Sequence, residues 1–150
     1  MKRAVAINVV VALWLLAGPA VVAQATKTYK TRLSIVPVAA ASPTVTGVGS
    51  VTATLAGTKL TIAGTFEGLN TPATVAQVFK SVKPGVRGTP LFDLTVSNGA
   101  SGTGTISGTF DLTPTQVQEL AASRYYVQLH SEKAPDGNLW GWLMAQENRR

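Results

Sequence analysis

The chain has 150 residues, no cysteine, one histidine and 13 basic against 7 acidic residues, a formal net charge of +6. Disulfides, thiol catalysis and cysteine-ligated metals are excluded, and a zinc site would have to rest on His130 and scattered carboxylates. The basic residues do not form a stripe with interleaved aromatics: Lys27, Lys30 and Arg32 come early, Lys80, Lys83 and Arg87 lie mid-chain, and Arg149 and Arg150 end it. No nucleic-acid partner is therefore expected, and the charge reads as solubility with weak attraction to anionic envelope polymers.

The first segment reads as an export signal. Lys2 and Arg3 precede an apolar run from Ala4 to Leu16, interrupted only by Asn8. Gly18 and Pro19 end the run, and Ala23-Gln24-Ala25 fits the small-residue cleavage rule. The competing reading is an uncleaved anchor, since Ala4 to Ala23 approaches the ~20 residues a bilayer requires; Pro19 and the cleavage site favour the signal peptide. With no cysteine after the run, a lipid-anchored form is excluded. Cleavage after Ala25 leaves 125 residues, Thr26 to Arg150, with 11 basic and 7 acidic residues. That is one domain, long enough to bury a core without disulfides, with no second apolar run of spanning length. The expected localisation is secreted or periplasmic.

The rest is rich in Thr, Val and Gly, in short alternating segments between turn signals, the pattern of an all-β fold. Tyr29 to Val36 alternates, with Tyr29, Thr31, Leu33 and Ile35 on one face. Ala39 to Pro43 is a small-residue linker. Val48 to Leu55 and Lys59 to Phe66 flank Ala56-Gly57-Thr58 and predict a hairpin. Val75 to Phe79 is a further strand, and Lys80 to Pro90 a loop carrying Pro84-Gly85. Leu91 to Val96 and Gly104 to Leu112 flank a Gly- and Ser-rich loop and predict a second hairpin. Thr113-Pro114-Thr115-Gln116 then sets an N-cap, a first-turn proline and a capping-box glutamine. A short helix from Pro114 to about Ala122 is predicted, with Val117, Leu120 and Ala121 at helical spacing. An internal echo joins Thr61-Ile62-Ala63-Gly64-Thr65-Phe66-Glu67 to Thr105-Ile106-Ser107-Gly108-Thr109-Phe110-Asp111, and suggests equivalent positions in a pseudo-symmetric sandwich.

The C-terminal part carries the candidate site. Tyr125 to Glu132, the turn residues Pro135-Asp136-Gly137, and Asn138 to Leu143 predict strand, turn and strand. Trp140 and Trp142, two apart, share a face; Leu139, Gly141 and Leu143 take the other. With Val127 and Leu129 inward, Tyr126, Gln128 and His130 point outward. Pairing of the two strands gathers Tyr126, His130, Trp140 and Trp142 on one surface, a candidate binding platform unless a loop or helix covers it. Little else suggests chemistry. His130 alone is a weak ligand or base. Ser131 and several aspartates are present, but no Gly-x-Ser-x-Gly elbow occurs. Gly99 to Gly104 lacks the lysine and following helix of a phosphate loop.

The motifs, in this order, resemble the CHRD domain, named after chordin and common in exported bacterial proteins. The resemblance is carried by Gly49 to Gly57, Leu60 to Leu69, Gly88 to Leu94, Gly104 to Phe110, Tyr126 to Glu132, and the closing Gly141-x-Leu143. It spans roughly Leu33 to Leu143 and implies an all-β domain of largely undefined function. Two departures matter. The family's usual Ala-His-x-His is here Ala76-Gln77-Val78-Phe79, and its usual closing Arg-Gly-x-Leu is Trp140-Gly141-Trp142-Leu143. Any metal or polar-ligand capacity resting on those histidines is expected to be lost.

The expected fold is a single immunoglobulin-like, Greek-key β-sandwich over 26–150 with one short helix, preceded by a signal helix over 1–25. The expected function is a non-enzymatic exported binding or structural module without cofactor or metal. Its contact surface is Tyr126, His130, Trp140 and Trp142, for an extracellular or envelope ligand, protein or glycan. The alternatives are a glycan-binding domain using the Trp and Tyr side chains, and a degenerate metal-dependent enzyme site. The export reading predicts that the intact mass of the protein recovered outside the cytoplasm matches Thr26–Arg150; recovery only as a full-length membrane species would contradict it.

Overall fold

The computed structural model describes residues 24–37, 42 and 45–146. The signal segment over 1–23 and most of the Ala39–Pro43 linker lie outside the described residues. Among the described residues no helix is long and apolar enough to cross a membrane.

The strands are β1 (Thr26–Ile35), β2 (Val48–Ala56), β3 (Lys59–Glu67), β4 (Ala73–Lys80), β5 (Thr89–Asn98), β6 (Gly104–Asp111), β7 (Tyr125–Ser131), β8 (Ala134–Trp142) and the two-residue β9 (Met144–Ala145). The helix α1 (Pro114–Ala121) joins β6 to β7. Both predicted hairpins form, and the predicted helix is present within a residue of its expected end.

The expected sandwich does not. The strands are hydrogen-bonded in the order β2-β3-β6-β5-β4-β7-β8-β1, and β1 pairs back onto β2, so the sheet closes into an eight-stranded antiparallel barrel extended by β9. The ten-residue β1 does this because it is shared. Thr26 to Leu33 run along β2, while Ser34 and Ile35 pair with Trp140 and Leu139 of β8, and Tyr29 and Lys30 with β9. A sandwich would leave two edges on each sheet; closure leaves none.

The internal echo has a different meaning from the one expected. The two copies are not distant equivalents but hydrogen-bonded neighbours, β3 and β6. Run antiparallel, the repeat pairs with itself, so Thr61 faces Thr109 and Thr65 faces Thr105. Ile62 faces Gly108, and Gly64 faces Ile106. Each isoleucine is buried opposite the glycine of the other copy. A Cβ at Gly64 would lie 2.6 Å from the Ser50 carbonyl oxygen, and one at Gly108 would lie 2.7 Å from Leu94. The repeat therefore supplies bulk and room in register at a crowded part of the barrel.

Eight strands enclose an interior that side chains can fill. Here Tyr29, Leu33, Val51, Leu55, Leu60, Ile62, Phe66, Leu94, Ile106, Val127, Leu129, Leu139 and Leu143 fill it. Leu69, in the crossover from β3 to β4, adds to this core near one end of the barrel, and Leu112 and Leu120 add to it at the other. α1 starts as the sequence indicates. Thr113 Oγ1 accepts from Gln116 N at 3.2 Å, and Gln116 Oε1 accepts from Thr113 N at 2.8 Å. Leu120 is fully buried and Val117 packs on the core, whereas Ala121 is exposed.

The helix also buries Glu119, which the sequence did not flag. Lys80 at the end of β4 forms an ion pair with it, and Tyr125 Oη donates to its Oε2 at 2.8 Å. The Lys80 hydrogen bond holds the Glu119 carboxyl below its usual range, against the opposing effect of burial and helped by the Tyr125 bond. Burial, then the bond to Glu119, pushes the Tyr125 hydroxyl far above its ordinary 10.0. A depressed folded pKa means stability present above the unfolded value near 4.5 and lost as pH falls through the folded one. Glu119→Gln should thus lower stability at pH 7 by about 1 kcal/mol, a figure reduced for the half-exposed Lys80. It should also flatten the loss of stability below about pH 4.5, read from urea unfolding across pH 2–7.

Candidate functional site

On β7 the side chains alternate between the barrel interior and its outer face. Tyr125, Val127 and Leu129 belong to the core, and Tyr126, Gln128 and His130 lie on the other side. On β8, Leu139 pairs with Leu129 inside, while Trp140 pairs with Gln128 and Trp142 with Tyr126 outside. All four residues singled out from the sequence therefore lie on the outer side of the barrel wall, but Tyr126, expected as part of an exposed platform, is covered there. Both indoles and His130 are half-buried; Tyr126 is 1% exposed.

Tyr126 is the centre of this cluster. Its ring lies 4.6 Å from Trp142 and 5.7 Å, edge-on, from Trp140; the two indoles are 6.2 Å apart. On its other side Phe79 stacks at 5.1 Å, and Phe79 is in turn 6.2 Å from the His130 ring. Sequence reasoning missed Phe79. Alternation after the inward Ala76 and Val78 sends Phe79 outward, but its place beside Tyr126 comes from the pairing of β4 with β7, segments far apart in the chain. The available signal was the substitution itself, an aromatic residue where the resemblance places a histidine. The other such position, Gln77, also faces outward and donates from Nε2 to Asp93 Oδ1 at 2.7 Å.

Two segments partly cover the cluster. The loop over 81–88 folds back so that Gly88 N donates to Tyr126 Oη at 3.1 Å. Only glycine allows this approach, because a Cβ there would lie 1.8 Å from the Lys80 carbonyl oxygen. Arg87 Nη2 donates to the Asp136 carbonyl at 3.2 Å, tying the loop to the second cover, the bulged segment Pro135–Gly137 at the start of β8. His130 Nδ1 is 2.7 Å from the Pro135 carbonyl, which can only accept, so Nδ1 carries a proton. Nε2 is then the acceptor for Gln128 Nε2 at 3.3 Å, and the same amide donates to the Asp136 carbonyl at 3.2 Å. Gln128 Oε1 is buried and has no partner among the described residues. His130 is thereby committed to orienting the bulge, and among the described residues no carboxylate or hydroxyl is bonded to it.

The geometry describes an all-β barrel domain with a filled interior and an aromatic cluster on its outer wall. The match to a protein-family model is to the CHRD domain, over residues 20–143, and the chain belongs to that family. No curated protein and no solved structure matches the chain.

Metal chemistry finds little support at this face. Among the described residues no three His, Asp or Glu side chains come together as metal ligands, and Gln77 and Phe79 occupy the family's histidine positions. Protein purified without a histidine tag should retain no stoichiometric zinc or copper after dialysis; elemental analysis checks this.

Proposed function

We propose that this CHRD chain is an exported, non-enzymatic binding module whose contact surface is the outer face of the β7–β8 hairpin, presented by Trp140, Trp142 and His130 and backed by the buried rings of Tyr126 and Phe79. The observation that carries the reading is the placement of two half-exposed tryptophans on the barrel's outer wall, outside the core that already fills its interior. Large aromatic side chains kept at a surface are costly for solubility and are the side chains that most often anchor a partner. A rigid arrangement favours the same role. Tyr126 is locked by Gly88 and flanked by three rings, so the indoles are positioned before any ligand arrives.

Glycan binding is the second reading. It is favoured by the neighbouring indoles together with the polar side chains of Gln77 and His130 at their edge, since sugar rings present an apolar face and a polar edge. In Thr26–Arg150, Trp140 and Trp142 are the sole tryptophans, so intrinsic fluorescence reports this surface alone. Trp142→Ala is expected to remove ligand-induced fluorescence changes while costing about 1–2 kcal/mol in denaturant unfolding, the scale of its aromatic contacts. A loss of about 3–5 kcal/mol, as for fully buried tryptophans, would make the cluster structural instead.

A further inference from the structure

Beyond the hairpin, the barrel wall continues as an open groove of about 1060 Å³ across β1, β2, β3 and the ends of β5 and β6. Its floor is a cross-strand row of hydroxyls: Ser50 pairs with Thr65, Thr65 with Thr105, and Thr105 with Ser97. All four are exposed. One wall is β1, where Arg32 faces Ser50 and Lys30 faces Thr52. Both cations are exposed, and neither forms an ion pair among the described residues. Glu67 at the end of β3 is the acidic group of the lining. The aromatic cluster lies beside the groove, across β1, and not in its lining. Ser34 pairs with Trp140 and Lys30 with Met144 in one register, so Arg32 stands opposite Trp142.

From this arrangement we propose that the groove binds a linear acidic polysaccharide, its chain running from Trp142 over Arg32 and Lys30 onto the hydroxyl row. Each chemical element has a counterpart in such a ligand. The indole offers a face for stacking a sugar ring. Arg32 and Lys30 pair with ring carboxylates, the guanidinium in bidentate fashion. Serine and threonine hydroxyls both donate and accept, which matches sugar hydroxyls that do the same. Four strand-to-strand steps separate Trp142 from Thr105, about 19 Å at ~4.8 Å each, enough for a short run of sugars. A nucleic acid fits less well: its bases call for stacking rings along the path, and the one aromatic residue of the groove lining, Phe66, is buried. The inference shares only Trp142 with the binding surface proposed above and otherwise rests on its own residues.

Titration of oligogalacturonate into Thr26–Arg150, followed by calorimetry, tests it. Saturable binding at low salt is expected, weakened at least tenfold by Lys30→Gln with Arg32→Gln and at least tenfold by Ser50→Asp. The charge-matched control, Lys83→Gln with Lys133→Gln, should stay within twofold of the unmodified protein. The substituted positions are exposed, and circular dichroism verifies folding; Ser50→Asp carries the test if the double variant does not fold. Absence of saturable binding overturns the proposal, as does a groove variant within twofold of the unmodified protein or a thymidine oligonucleotide that binds equally well. Trp142→Ala separates the two readings. It should weaken binding together with the groove variants; binding left intact while the groove variants lose it overturns the path from Trp142 and leaves a site of Arg32, Lys30 and the hydroxyl row alone. If it abolishes binding that the groove variants retain, the hairpin surface stands and the groove falls.

Discussion

The pairing of β1 with neighbours on both sides is the constraint on which the rest of the molecule depends. A ten-residue strand is long enough to run beside β2 for most of its length and still give Ser34 and Ile35 to β8. That double use brings the last hairpin next to the first strand and closes the wall. Without it, β2 and β8 would be free edges with unpaired backbone groups, the usual template for aggregation. Closure also defines inside and outside for every strand at once. An alternation that the sequence shows strand by strand becomes one filled core and one continuous outer surface.

The outer surface is where this chain departs from an ordinary barrel. A packed interior has no further use for Phe79, Tyr126, Trp140 and Trp142, and they are gathered outside it. Their order comes from backbone as much as from ring contacts. The 81–88 loop reaches Tyr126 through Gly88, and Arg87 and Gln128 both hold the Asp136 carbonyl of the bulge. The histidine that looked like a candidate reactive group is part of this scaffold, bonded to Pro135 and Gln128. Rigid support beneath the half-exposed indoles reduces the ordering cost of binding at this surface.

Closure further makes neighbours of surfaces that are far apart in the chain. Trp142 and Arg32 are 110 positions apart in sequence yet meet across β8 and β1, and from there the hydroxyl row crosses β2, β3, β6 and β5. The β3–β6 repeat contributes to the same wall: self-pairing that nests isoleucine against glycine inside also sets threonine opposite threonine outside. One sequence repeat thus serves core packing and surface chemistry together.

The sequence by itself determined the local elements. The alternation in β1 to β3, the capping box of α1 and the inward or outward choice over Tyr126–His130 and Leu139–Leu143 depend on neighbours within a few positions and could be read in advance, whereas Pro135-Asp136-Gly137, expected as the turn, lies inside β8 and the turn falls at Glu132–Lys133. It also determined that Trp140 shares a face with Trp142, and Tyr126 with His130, because residues an even number apart in a strand share a face whatever the sheet does. Tertiary structure alone decided the barrel. Strand order and closure depend on pairings between segments distant in the chain, such as β1 with β8, and alternating patterns look alike in a sandwich and in a barrel. It likewise decided the adjacency of the repeat copies, the entry of Phe79 into the cluster, the burial of Glu119 against Lys80 and Tyr125, and the meeting of Trp142 with Arg32. Each is a contact between distant segments whose register the local sequence does not encode.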